Sequence, residues 1–445
     1  MNCCCRSFSS MLKQLKPARI TTAETMAKRP PLPPNSNHDR LPEQASKGGN
    51  DSVPIAYAES STNFNGVYAM PAASSVLSAT NTMIRITKEQ EVALQERGFP
   101  PGLSQEVVST VGQSPVRFWV IDNSGSMWAS DGHVLRGKGK NTQLIPCTRW
   151  SEMQATVEYH AELSGLLEAT TVFQLLNHPG DPRVPQVFSI AEHGYHEIPN
   201  NIETAKNAVM NCQPNGPTPL AERLLEIQQQ ITEIAPSLHS KGQKVVIVLA
   251  TDGLPTDTYG GSSADAAREF VSILRGLQDY PVWIVVRLCT DDAETCNFYN
   301  SLDGELELPL EVLDDHVAES KEVATFNPWL NYGLPIHRTR ELGYQHRIFD
   351  LLDERPLNKE EVKEFLELLF GKEAFLNAPD VHDDWNAFQK LVARVVKSQN
   401  LVWNPRSQKM EPWVDVKKLD KTYGERLSLL KRLGSSSRRK GSTRK

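Results

Sequence analysis

The sequence predicts an α/β fold. It is a doubly wound, mostly parallel sheet with helices on both faces, followed by a helical C-terminal unit and flanked by disordered ends. Three observations carry this expectation. Strand-sized apolar segments alternate with helix-length amphipathic ones from Val116 to Leu313, the pattern of helices laid on both sides of a parallel sheet. Val245–Leu249 and Val282–Val286 are unbroken runs rich in Val and Ile, as required of strands covered on both faces. Asp122 and Asp252 each fall one or two residues past such a strand, where open α/β sheets place their ligands.

Composition limits the alternatives. The chain has 445 residues, 39% of them hydrophobic and 7% aromatic, enough for more than one domain. A net charge of −6 does not suggest a nucleic-acid binder. The longest apolar runs are strand-sized, so no transmembrane segment is expected. Seven cysteines, three of them adjacent at Cys3–Cys5, do not form a disulfide framework. They fit a reducing compartment, and the cytoplasm is the expected location. The first residues are basic and acid-free up to Glu24, which gives the mitochondrion as the alternative. The Cys triplet is a candidate for palmitate, although Asn2 rules out a myristoyl signal.

Along the chain, residues 1–83 read as a disordered Pro/Ser-rich segment that buries too little apolar area to offset its ordering entropy. Residues 84–114 read as a short helical lead-in, with Thr87 and Gln90 forming a capping box and a second helix over Leu103–Val111. Residues 115–315 form the sheet domain. Its expected strands are Val116–Ile121, Thr171–Leu176, Gln186–Ile190, Lys244–Ala250, Val282–Leu288 and Leu310–Leu313. Its expected helices are Trp150–Leu167, Asn201–Asn211, Pro219–Ile234, Ala264–Leu277 and Asp291–Leu302. Residues 316–430 form a mainly helical extension with apolar stripes at Val362, Phe365, Leu366 and Leu369, and at Trp385, Phe388, Val392 and Val396. Residues 431–445 are a basic tail with seven Lys/Arg and no acid, a candidate for weak contact with nucleic acid or anionic lipid.

Three separated segments supply small oxygen-bearing groups. They are Asp122-Asn-Ser124-Gly-Ser126, Gly216-Pro-Thr218 and Thr251-Asp252-Gly253. Hydroxyls and carboxylates suit magnesium, manganese or calcium rather than a soft metal. Alternate side chains of an extended loop point to one side. With only two carboxylates, such a site keeps room for a carboxylate from outside. Together the segments resemble the metal-ion-dependent adhesion site of the von Willebrand factor type A (vWA) domain family, whose pattern is Asp-x-Ser-x-Ser, then Thr, then Asp. The resemblance covers about residues 115–315. It implies that Ser124, Ser126 and Thr218 ligate a cation directly, that Asp122 and Asp252 act largely through water, and that a partner's Asp or Glu completes the sphere.

The expected function is an intracellular, divalent-cation-dependent protein-binding module, an adaptor or scaffold. One alternative is a recruiting or regulatory subunit of a larger ATPase or ubiquitin-linked complex. Another is a metal-dependent hydrolase. No catalytic constellation is evident. A haloacid-dehalogenase-type phosphotransferase would need a carboxylate where Ser124 stands, and no phosphate-cradling loop or nucleophile elbow occurs. Asp122 and Ser124 as simple turn and cap residues is the competing view. Asp257 reads as a turn residue, His193 and His196 as exposed-loop histidines, and His160 as a packed or surface helix residue. Against the resembled family, Ser130–Thr148, with Arg136, Lys138 and Lys140, is longer than the usual connection and suits a lid or second contact surface beside the ion.

Overall fold

The β-branched and aromatic strands form where the sequence places them. In the computed structural model, which describes residues 86–257, 259–261, 264–306 and 308–424, β1 (Val116–Ile121) is buried along its whole length. A hairpin of β2 (Gly132–Arg136) and β3 (Gln143–Cys147) follows. Next come α3 (Arg149–Leu167), β4 (Thr170–Leu175), β5 (Val187–Ile190), α4 (Ile198–Asn211), α5 (Leu220–Lys241), β6 (Val245–Thr251), α6 (Ala264–Gly276), β7 (Val282–Leu288), α7 (Ala293–Glu305) and β8 (Leu310–Leu313). Two helices, α1 (Lys88–Glu96) and α2 (Pro101–Gln113), precede β1. The six-stranded sheet has the order β5-β4-β1-β6-β7-β8. All its pairings are parallel except that of β4 with the edge strand β5.

Strand alternation assigns each side chain to a face. Val116, Phe118 and Val120 pack with Ile247, Leu249 and residues of α5, α6 and α7 such as Leu224, Phe270 and Tyr299. Trp119, Ile121, Val246 and Val248 pack with α3 and α4 through Trp150, Met153, Val157 and Ile202. The fold is therefore a mostly parallel sheet with helices on both faces.

The second face has a further cover. After α8 (His316–Phe326), the short helix α9 (Leu334–Glu341) lies buried from Pro335 to its end. The turn after it presses on the sheet. Gly343 has φ +89, and a Cβ there would lie 2.5 Å from Val246 Cγ1. Arg117 Nε donates to Leu342 O at 3.1 Å. The sequence His337-Arg-Thr-Arg-Glu341 is thus inside the protein, and each charge needs a partner. Arg340 donates to Glu311 at 2.6 Å and Asp353 at 3.0 Å, and pairs with Glu319. Glu341 receives His160 Nε2 at 2.9 Å and Arg338 Nη1 at 2.6 Å. His160 is therefore a packed residue of a buried charge cluster.

A third core joins the lead-in to the C-terminal helices α10 (Arg347–Glu354), α11 (Lys359–Phe370), α12 (Trp385–Ser398) and α13 (Val416–Tyr423). Leu103 and Val107 pack there with Leu163, Trp329, Phe365 and Leu369. A Cβ at Gly102 would lie 2.3 Å from Gly371 N, so α2 and α11 meet backbone to backbone. The capping box of Thr87 and Gln90 is present, as is one between Asn358 and Glu361.

Several expected boundaries shift. Helix α5 runs through Pro236 to Lys241 rather than stopping at Ile234. Proline loses one hydrogen bond there, but Leu238 beyond it is fully buried and Gly242 closes the helix in the left-handed region. Helix α4 begins at Ile198, and α7 begins after the cap Asp292, which accepts from Thr295 N–H. Ser130–Thr148 contains the β2–β3 hairpin, and β9 (Val402–Asn404) with β10 (Lys409–Glu411) form another. Neither hairpin was expected, because both are short and partly exposed. Among the described residues no helix is long and apolar enough to cross a membrane. The expectations for residues 1–83 and for the basic tail 431–445 lie outside the described residues.

Two outcomes follow for stability. Replacing Arg340 by Met leaves the buried Glu311 and Glu319 without their cation, and is expected to cost about 3–5 kcal/mol; a change below about 1 kcal/mol in chemical denaturation would contradict this packing. His316 lies 3.0 Å from Tyr332 O through Nε2, and burial pushes its pKa down to about 3. The folded chain holds it neutral while the unfolded chain protonates below about pH 6.5. Its contribution is whole above that pH and is lost as pH falls, by up to about 1.4 kcal/mol per pH unit. The denaturation midpoint should drop between about pH 7 and pH 5, and His316→Gln should make that drop shallower; an unchanged slope refutes it.

Candidate metal centre

The carboxyl edge of the sheet is where strand order becomes loop chemistry. Ile121 pairs with Ala250 across β1 and β6, and Asp122 N–H still donates to Ala250 O at 2.8 Å. Asp122 is thereby held at the end of the ladder, fully buried. One carboxylate oxygen accepts Ser124 N–H at 2.8 Å, and the other accepts the Thr251 hydroxyl at 2.7 Å. The Ser124 and Ser126 hydroxyls are 2.9 Å apart, and Ser126 Oγ donates to Asp252 Oδ1 at 2.6 Å. Ser124 is buried while Ser126 is exposed, so the cluster opens to solvent at Ser126.

Thr218 reaches the same edge by a different route. Gly125 N–H donates to Gly216 O at 3.3 Å, and Asn215 N–H to Asn123 O at 2.8 Å. These bonds fasten the second loop to the first. Thr218 N–H donates to Thr256 Oγ1 at 2.8 Å, and Thr256 N–H returns to Thr218 O at 3.0 Å, fastening it to the third. A Cβ on Gly253 would sit 3.9 Å from Thr218 Oγ1. Asp122, Ser124, Ser126 and Asp252 are linked directly, and Thr218 is held beside them by its backbone.

The electrostatics suit a cation. Burial pushes the Asp122 carboxyl up to about 6, the negative charge of Asp252 adds to this, and the bonds from Ser124 and Thr251 oppose it. Two carboxylates and three hydroxyls form a hard-oxygen set suited to magnesium, manganese or calcium. Among the described residues there is no group of three or more His, Cys, Asp or Glu suited to a metal. His193 and His196 are exposed, and Asp257 serves a turn by accepting Tyr259 N–H at 2.9 Å and Gly261 N–H at 2.7 Å. The Ser124 hydroxyl meets Ser126, not an imidazole.

Three supporting residues were not among the expected ligands. Asn123, the intervening residue of the first motif, accepts Asn177 N–H at 2.7 Å and donates to Asn177 O at 3.0 Å and Cys212 Sγ at 3.3 Å. Thr251 precedes Asp252 and holds Asp122. Both adjoin motif residues, and a polar side chain at a strand end was the available signal. Arg149, which donates to Asp252 Oδ2 at 2.9 Å, gives no such signal. Beside the first motif Trp128 is half exposed, its Nε1 donating to Pro214 O at 2.9 Å.

Asn123→Ala removes the bonds that brace two loops and leaves the half-buried Asn177 N–H short of its acceptor. Its expected cost is about 1–3 kcal/mol, read by thermal or chemical denaturation; a neutral effect would show that the loops are braced elsewhere.

No family model and no curated protein matches this sequence. Solved structures similar to it include the TFIIH p34 N-terminal domain, at 11% identity over 45% of this chain and 91% of that one with a TM-score of 0.30. The SpRpn10 VWA domain is similar at 11% identity over 45% of this chain and 87% of that one with a TM-score of 0.28.

Proposed function

We propose that the chain is a divalent-cation-dependent protein-binding module, an adaptor or scaffold with no turnover of its own. The observation that supports it most is the hydrogen-bonded cluster of Asp122, Ser124, Ser126 and Asp252 at the sheet's carboxyl edge, buried on one side and open at Ser126. Magnesium or a similar ion, when bound, would supply an electrophilic point for an oxygen ligand. Ser124, Ser126 and Thr218 would hold it directly. Both Asp122 oxygens are already engaged by Ser124 and Thr251, which suits action through water. The partner's Asp or Glu would complete the sphere, with Trp128 as an exposed aromatic neighbour. Cys147, Cys212, Cys289 and Cys296 are free thiols, in keeping with a reducing compartment.

Purified intact chain should gain thermal stability with magnesium over chelator, by about 2.7 kcal/mol once the ion is about a hundredfold above its Kd. Asp122→Ala should abolish both this gain and cation-dependent capture of partner protein. No stabilisation of the intact chain by magnesium, manganese or calcium would refute the site. Phosphoester turnover lost in Asp122→Ala would replace the binding reading with a hydrolase.

A further inference from the structure

Arg149 stands in the first turn of α3, behind the cap Thr148, whose hydroxyl accepts from Ser151 N–H. Its guanidinium makes a three-way fork. Nε donates to Asp131 Oδ1 at 2.7 Å, Nη2 to Asp131 Oδ2 at 2.6 Å, and Nη1 to Asp252 Oδ2 at 2.9 Å. Its backbone N–H donates to Ala129 O at 2.9 Å, which fixes the base of the fork. Asp252 is therefore divided between two sides. One oxygen takes the Ser126 hydroxyl, and the other faces a cation that belongs to the chain.

The two carboxylates of the fork are unequal. The Asp252 side chain is 0% exposed, and that of Asp131 is 53% exposed. Water screens Asp131, whereas Arg149 acts on Asp252 through a less polar medium. Resting on the cation-dependent reading above, we infer that Arg149 is a built-in counter-cation of the metal centre, moderated by Asp131. It lowers the affinity for a divalent ion and leaves the loaded centre net positive toward an anionic ligand. Asp122 and Asp252 bring two negative charges to the interior. A divalent ion with Arg149 brings three positive ones, and the other carboxylates that interact with Arg149, Asp131 and Asp292, face solvent. The excess positive charge favours an acidic partner over a neutral one. It also sets the ion's affinity below what the oxygen cluster alone would give.

A purely mechanical role, in which the fork only fastens the hairpin base to α3, makes a different prediction. Arg149→Met and Asp131→Asn both break the fork, so a mechanical role moves ion binding in the same direction in both. The electrostatic role moves it in opposite directions. The experiment titrates full-length purified chain with manganese, reading free ion by electron paramagnetic resonance, and records the thermal midpoint of each metal-free variant. Arg149→Met is expected to bind manganese about tenfold more tightly and Asp131→Asn about threefold more weakly. Arg149→Lys keeps the charge and loses the fork, and should stay within about twofold of the parent; it carries the test if Arg149→Met does not fold. Shifts of the same sign, no shift in either, or a shift in Arg149→Lys matching Arg149→Met would overturn the inference. Absence of manganese binding in the parent and in every variant would instead defeat the cation-dependent reading itself.

Discussion

The parallel register between β1 and β6 is the constraint on which the rest of the protein depends. Ile121 stands opposite Ala250, so the two chains leave the sheet side by side and put Asp122 next to Thr251 and Asp252. A slip of one residue would turn every side chain of the strand to the opposite face. It would expel Trp119 from the α3 side and Phe118 from the α5 side. Both strands are buried along their whole length between two cores, so such a slip would keep mostly apolar groups inside but force Trp119 and Phe118 into close-packed cores that do not fit them. Site geometry is thus fixed by hydrophobic burial several residues away from any oxygen ligand.

The same sheet shows what burial demands of charge. Much of its second face is covered by apolar residues of α3 and α4, but part is covered by α9 with His337, Arg338, Arg340 and Glu341 inside. Burying unpaired ions would be prohibitive. Partners come from β8, α8, α10 and α3: Glu311, Glu319, Asp353 and His160. Apolar cover tolerates rotation and sliding of a helix, whereas these pairs specify one seating of α9. Arg287 on β7 extends the set. It lies 3.6 Å from Glu341 and pairs with Glu152, whose other oxygen accepts His133 N–H at 2.8 Å. A continuous run of polar contacts therefore links the segment after the sheet to the hairpin beside the oxygen cluster.

Much of this was legible in the sequence, for reasons that differ by element. Strands β1, β7 and β8 were read to the residue because apolar runs bounded by polar loops are local signals. The cap of α1 was legible because a capping box is a spacing rule. The three oxygen-bearing loops were legible because Asp, Ser and Thr at strand ends stand out against apolar neighbours. The continuation of α5 past Pro236 was not, since local preference argues for a stop and only the burial of Leu238 overrides it. The β2–β3 hairpin was missed because an exposed ribbon turning on Gly137 and Gly139 has little apolar alternation to reveal it.

By itself the sequence determined which segments are apolar enough to become central strands, which loops carry hard oxygen, and where the helix capped at Thr87 begins. Those properties depend on residues within a few positions of one another. Tertiary structure alone decided that a helix reading His-Arg-Thr-Arg-Glu would be buried, and that Arg149 would meet Asp252 across 103 positions of chain. A charged side chain looks the same in sequence whether it faces water or an ion pair in the interior. Only the packing of distant elements removes the water, and only then does the choice of partner acquire a large energy.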